Sequence, residues 1–255
     1  MAEKSNIITA FVLDFETGGL DCVKCAATQI SIHAVRLDTF DTMEKLNLYI
    51  KPYYYKANAK KVKKRVLKSK YEEEDEDEVL MTYTDSAEKV SGITLDKLYD
   101  DGLELEEVCQ SIIDFVTRNT FEVQKAYKPI IVGQNILFDM GFMQQIMVYT
   151  GKWEEFCKLF RTHKDYFGNE QIYYLDTILL SQLALCHDKS VISYKLELVA
   201  ERLSVELDDA HDADADVTAT ADIVRVLSAR MRSDEGSISS VTFQKKKKTR
   251  DHFKI

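Results

Sequence analysis

Four carboxylates stand in three short clusters whose surroundings are otherwise apolar. They are Asp14 and Glu16 in FVLDFETGGL, Asp139 in GQNILFDMGFM and Asp216 in AHDADADVTAT, with His211 five residues before the last. An unpaired charge in an apolar segment is costly, so acids placed there are expected to meet around something positive. Two unit charges about 4 Å apart repel by roughly 1–4 kcal/mol at effective dielectric constants of 80 to 20. Four converging carboxylates make several such pairs, and the site then either titrates as a coupled group or binds divalent cations. All-oxygen ligands suit Mg²⁺ or Mn²⁺ rather than zinc, and two such ions can hold the attacking and the leaving oxygen of a phosphate displacement. His211 adds a proton acceptor that titrates near neutral pH. The set points to metal-assisted hydrolysis.

The local elements must bring these residues together. On a strand, residues i and i+2 share a face, so Asp14 and Glu16 leave on one side and Phe15 on the other. Gly18 and Gly19 follow, where a backbone can approach a ligand closely and offer its amides. Asp208, Asp209 and Ala210 suggest a loop around His211, and Asp212 and Asp214 suit the start of a helix, which puts Asp216 in its first turns. Taken singly, each piece has a plainer reading. A DxE arises in many strands, Asp139 fits a helix cap, His211 fits a surface or capping position, and the aspartates at 212, 214 and 216 fit a solvated helix start. Their order and company favour a site.

Hydrophobic patterning supplies the frame. Residues 7–14, 27–37 and 44–51 read as three strands, the last two forming a hairpin, and 129–133 as a short strand. Leu105, Val108, Ile112, Phe115 and Val116 follow helical spacing and predict a helix over 104–118. Further helices are predicted over 138–149, with Phe138, Phe142, Ile146 and Tyr149 on one face, and over 176–186, 194–203 and 214–231. Antiparallel strands followed by alternating helix and strand predict an α/β fold, a mixed sheet with helices on its faces.

Composition bounds the rest. The chain has 255 residues, 45% hydrophobic and 30% charged, as in an ordinary globular domain. Its net charge of −9 excludes a protein that coats nucleic acid through bulk positive charge. Five cysteines with no framework spacing read as free thiols of a reducing compartment, and the lone Cys22–Cys25 CxxC lacks the second half of a zinc site. With no leader and no long apolar run, a soluble cytoplasmic protein without a membrane partner is expected. A charged insertion occupies about 53–85. Eight Lys or Arg fall between 56 and 70, and seven acids run from 72 to 78. It reads as a solvated, self-neutralising excursion, with a sharper reading in which the basic half touches phosphates. Residues 1–232 read as one domain, and 233–255 as a basic, disordered tail ending in Lys245–Lys248 and Arg250.

The motifs resemble those of the DEDDh 3′→5′ exonucleases, the family of the proofreading subunit of bacterial DNA polymerase III and of ribonuclease T. DFETGGL at 14–20 resembles the first motif, QNILFDMGFM at 134–143 the second and HDADAD at 211–216 the third, with weaker likeness at Ser91–Thr94, Asp176–Thr177 and Tyr194–Leu196. The resemblance spans roughly residues 7–230. It implies a ribonuclease H-like five-stranded mixed sheet with helices on both faces. It implies two Mg²⁺ (or Mn²⁺) ions held by Asp14, Glu16, Asp139 and Asp216, with His211 as the base that activates water. It also implies that Thr17, Gly18, Gly19, Asn135 and Phe138 seat the 3′-terminal nucleotide or shape its loop, Asn135 orienting rather than ligating. Gln134 departs from a frequent His, and His33 from a frequent Gly.

The expected function is a metal-dependent 3′→5′ exonuclease that releases nucleoside monophosphates from single-stranded or frayed DNA, in proofreading or repair. One rival is the same chemistry on RNA 3′ ends, since discrimination rests on contacts to the 2′-hydroxyl. Another is a non-catalytic polymerase accessory module. A third has the domain act only within a DNA polymerase or replication complex.

Overall fold

The computed structural model describes residues 8–56, 78–121, 128–207 and 212–232. The charged run from 57 to 77, His211 and the tail from 233 lie outside the described residues, and with them the expectations placed there. In chain order the elements are β1 (Thr9–Thr17), β2 (Ala27–Arg36), β3 (Thr42–Tyr49), β4 (Tyr54–Lys56), β5 (Glu78–Leu80), α1 (Asp85–Ser91), α2 (Leu95–Asp101), α3 (Leu105–Arg118), β6 (Ile130–Gly133), α4 (Ile136–Tyr149), α5 (Trp153–Leu159), β7 (Thr162–Lys164), β8 (Glu170–Ile172), β9 (Tyr174–Asp176), α6 (Thr177–Leu185), α7 (Leu196–Leu203) and α8 (Ala213–Arg232).

Five strands form one mixed sheet in the order β3-β2-β1-β6-β9. β1 pairs antiparallel with β2, and β2 with β3, while β6 runs parallel to β1 and β9 parallel to β6. The strand alternation of β1 divides the interior. Phe11, Leu13 and Phe15 enter a core built with α3, α4 and α5, where Phe11 meets Phe115 and Phe160 edge to face. Ala10 and Val12 enter a second core on the opposite face, under Val217 and Val224 of α8. A third cluster joins α6, α7 and α8 through Leu185, Val199, Leu203, Ile223 and Leu227. Both faces of the sheet are therefore covered, as the predicted architecture requires.

The strand and helix expectations hold to within two or three residues. β9 was not anticipated. Three residues are too few to carry a period, and it exists because β6 offers it a parallel edge from Ile131 to Gly133. The short helices α1, α2 and α5 and the β7–β8 hairpin also lack a periodic signal of their own. α1 and α2 are set by caps instead: the Thr84 and Thr94 hydroxyls accept from the amides three residues on. In α4 the buried set is wider than the expected face and includes Ile136, Met140, Met143 and Met147, because the helix is enclosed by the sheet, α3 and α5. None of the five cysteines, all among the described residues, is in a disulfide. Among the described residues no helix is long and apolar enough to cross a membrane.

β4 and β5 pair antiparallel, Tyr54 with Leu80, so the charged run leaves and re-enters through a two-stranded ribbon. The returning chain is then stitched to the loop after β1. The Ala26 amide donates to the Thr82 carbonyl at 2.9 Å, the Thr82 amide to the Lys24 carbonyl at 2.8 Å, and Thr84 donates to the Gly18 carbonyl from both its amide and its hydroxyl at 3.0 Å. A Cβ on Gly18 would stand 2.3 Å from the Thr82 carbonyl oxygen and 2.9 Å from the Tyr83 Cα, backbone atoms that cannot turn away. Gly18→Ala is therefore expected to lower the unfolding free energy by about 1–3 kcal/mol, read as a shift in the midpoint of a urea titration with an unchanged slope.

Candidate active site

β1 carries Asp14 and Glu16 on the same face as Ala10 and Val12, the face that α8 covers. The sheet register shifts between Glu16 and Thr17, where β1 leaves its pairing with β2. A bulge at this point bends the strand and re-aims the side chains beside it. Asp216 comes from the first turn of α8, and one carboxylate oxygen from each of Asp14, Glu16 and Asp216 lies within 4.8 Å of the others. Residues separated by two hundred positions thus form one oxygen cluster on two rigid elements.

The seat of α8 is polar where the rest of that sheet face is apolar. Gln29, Ser31 and His33 alternate along β2 and are all buried. Gln29 reaches Asp212 at 3.5 Å, Ser31 Oγ donates to Asp214 at 3.1 Å, and His33 Nε2 lies 2.7 Å from the same Asp214 oxygen. The carboxylate acceptor fixes Nε2 as the protonated nitrogen. Burial holds the His33 pKa below the ordinary imidazole range, against the opposing hydrogen bond to Asp214. Asp212 in turn accepts from the Asp214 and Ala215 amides at 3.0 and 3.3 Å and so caps the helix, as expected of these aspartates. Sequence reasoning did not pick out Gln29 or Ser31, and it marked His33 only as a departure from a frequent Gly. Their period of two ordinarily marks a solvent face; here it marks the face turned to the polar start of α8.

Asp139 sits in the first turn of α4, 2% exposed. Its carboxylate accepts from the Phe15 amide at 3.0 Å, beyond the last rung between β1 and β6. It therefore stands outside the 4.8 Å cluster and holds the end of β1 between the two acids, close enough to raise the pKa of Asp14. It does so from inside α4 and not as the cap of that helix. The N-cap is Asn135, in the left-handed conformation at φ 53°, with its amide donating to Asp176 at 3.2 Å. Asp176 also caps α6 through the Ile178 amide at 2.8 Å, so this one carboxylate ties the starts of two helices. Gln134 bridges to the Tyr194 carbonyl at 2.7 Å. Phe138 packs on Phe142 at the edge of the main core.

Among the residues expected to seat a nucleotide, the structure changes the account of Gly18. Its amide is spent on the Ala26 carbonyl at 2.7 Å and its carbonyl on Thr84, so it is a close-packing position and offers no free amide. The Thr17 hydroxyl donates to the Gly19 carbonyl at 2.9 Å and closes the turn. Leu20, four residues after Glu16 in sequence, is 89% exposed, an apolar side chain that sequence reasoning passed over.

The electrostatics are one-sided. Burial raises the pKa of Asp14 well above the carboxylate range, and Asp139, Asp216, Glu16 and Asp212 raise it further. Burial, then Asp216 and Asp212, push Glu16 up to about 8. Asp139 is raised by burial against the hydrogen bond from Phe15. A divalent cation would relieve all of these at once, and the donor set, three clustered carboxylates with no sulfur or nitrogen among the described residues, fits hard ions such as Mg²⁺ or Mn²⁺.

The family model RNase_T, described as Exonuclease, matches residues 57–224, more than half of the chain. The match takes in Asp139 and Asp216 and begins beyond β1. No curated protein sequence matches. Solved structures do: E. coli Exonuclease I in complex with a dT13 oligonucleotide, at 19% identity and a TM-score of 0.57, with 88% of this chain and 41% of that one covered. A zinc-bound form of an E. coli Exonuclease I–single-stranded DNA complex matches at 19% and 0.60, with 88% and 41% covered. Exonuclease I from Methylocaldum szegediense matches at 20% and 0.56, with 89% and 41% covered. At these identities the likeness establishes a shared fold, and the chain spans about two fifths of the length of those proteins.

The raised acids predict a metal-linked stability. Folded protein keeps the Glu16 proton up to about 8, whereas the unfolded chain releases it near 4.5, so the metal-free protein loses stability as pH rises through that window. Glu16→Gln removes the penalty. In chelator above that window its melting temperature is expected to exceed the wild type's, by about 2–4 °C for each kcal/mol recovered. Added Mn²⁺ is expected to stabilise the wild type and leave the variant nearly unmoved in a thermal melt.

Proposed function

We propose that this chain, which belongs to the RNase_T exonuclease family, is a divalent-metal-dependent 3′→5′ exonuclease of the DEDDh type that removes nucleoside monophosphates from single-stranded DNA ends. The observation that carries this reading is the convergence of Asp14, Glu16 and Asp216, from β1 and α8, to within 4.8 Å. Such a cluster of half-buried like charges is costly to a fold with no cation to hold. The choice of DNA rests on the shared fold with Exonuclease I bound to dT13 and to dA16 oligonucleotides.

In this reading Asp14, Glu16 and Asp216 hold the metal directly, and Asp139 completes the ligand set while keeping the β1 end in place. Bound there, two divalent ions would activate the attacking water and neutralise charge on the scissile phosphate. His211, five residues ahead of Asp216, accepts the proton of that water. Thr17, Gly19 and Phe138 seat the terminal nucleotide, and the exposed Leu20 offers its last base an apolar contact. The capped starts of α4 and α8 fix these groups before substrate arrives, so little reorganisation is left to the reaction.

A gel time course on matched DNA and RNA oligonucleotides labelled at the 5′ end, with Mg²⁺, with Mn²⁺ and with chelator, tests the proposal. A metal-dependent ladder shortening from the 3′ end is expected, faster on DNA. Asp14→Ala is expected to abolish it with the circular dichroism spectrum retained, and His211→Ala to lower kcat by about 10²–10⁴-fold. Full turnover by Asp14→Ala, or a ladder indifferent to chelator, would overturn the assignment, and faster shortening of RNA would move the substrate to RNA ends.

A further inference from the structure

We infer that His33 is a positioning residue for the metal-binding acids: its bond to Asp214 sets the height and rotation of α8 on the sheet, and with them the place of Asp216. The inference rests on the exonuclease reading only in taking Asp216 as a metal ligand.

The apolar contacts under α8, Val217 and Val224 over Ala10 and Val12, hold the helix to the sheet. Such contact is non-directional, so it leaves the helix some freedom to turn or slide. The bond from His33 Nε2 to Asp214 is directional, 2.7 Å long, and made by a side chain only 1% exposed at the centre of β2. Ser31 reaches the same carboxylate oxygen at 3.1 Å, and Lys45 of β3 reaches the other at 3.4 Å. Asp214 is gripped from two strands. Two residues along an α-helix are about 3 Å of rise and roughly 200° of rotation. A turn or slide that freed Asp214 therefore swings Asp216 away from Asp14 and Glu16.

The residue types argue the same way. A buried polar pair contributes little more stability than apolar residues of like volume, and its attested use is to specify register. An aliphatic pair at positions 33 and 214 would hold the helix to the sheet as well. What it could not supply is the one height at which Asp216 completes the cluster.

The test measures Mn²⁺ affinity of the protein alone, by calorimetry or electron paramagnetic resonance, beside kcat and KM on a single-stranded oligonucleotide. Variants are His33→Ala, His33→Gln, Asp214→Ala and the double alanine. His33→Ala is expected to weaken Mn²⁺ binding and lower kcat about tenfold with KM for the oligonucleotide unchanged. His33→Gln, which keeps a donor near the Nε2 position, is expected to restore most of both. The double variant is expected to be no worse than the worse single one. A His33→Ala protein that melts earlier yet binds Mn²⁺ as the wild type does overturns the inference, as do independent, multiplying losses in the double variant. Should His33→Ala not fold, Asp214→Asn is read on the same two axes, with wild-type Mn²⁺ affinity again overturning it. A wild type that binds Mn²⁺ but leaves every oligonucleotide intact sinks the exonuclease reading, and the Mn²⁺ affinities of the variants still decide the role of His33.

Discussion

Carboxylates brought together out of water repel one another, and nothing in Asp14, Glu16 and Asp216 themselves would keep them within 4.8 Å. Their meeting is imposed by the scaffold. β1 is the middle strand of five, bonded on both edges and covered on both faces. α8 lies across β1 and β2 over a core of its own. The apolar burial on both sides of the sheet supplies the free energy, and the acids occupy the end of the strand where that burial gives way to partial exposure.

Much of the remaining structure serves to hold those two elements in one relation. Asp139 takes the Phe15 amide where β6 no longer reaches it. Asp176 joins the starts of α4 and α6, and Asp212 closes the first turn of α8. Each is a charged residue used against backbone amides at a helix start or strand end, where the orphaned donors favour an anion. The acidic net charge is thus partly used inside the molecule.

The likeness to Exonuclease I extends to the sheet and its helices and stops short of the whole of those larger proteins. A ribbon of β4 and β5 interrupts the chain after the third strand and returns it against Gly18. The loop after β1 is therefore braced by the segment that follows the charged run, so the shape of the site depends on a part of the chain remote from its motifs. A fold carries chemistry in the loops and strand ends grafted onto it, and here the acids sit at such a strand end.

The sequence by itself determined the elements long enough to carry a period: the three opening strands, and the helices over 105–118, 136–149 and 213–232. It also determined that Asp14 and Glu16 share a face and Phe15 does not, because strand geometry leaves no other arrangement. The acids that meet were legible from their type and apolar company. Tertiary structure alone decided the rest. β9 exists by pairing with an edge, Gly18 is glycine because Thr82 and Tyr83 press on it, and Asp139 turns to the Phe15 amide because β6 has ended there. Gln29, Ser31 and His33 alternate as the wet side of a strand would, and they are the seat of α8. Periodicity reports which residues point together; only the packed neighbour decides whether what they point at is water.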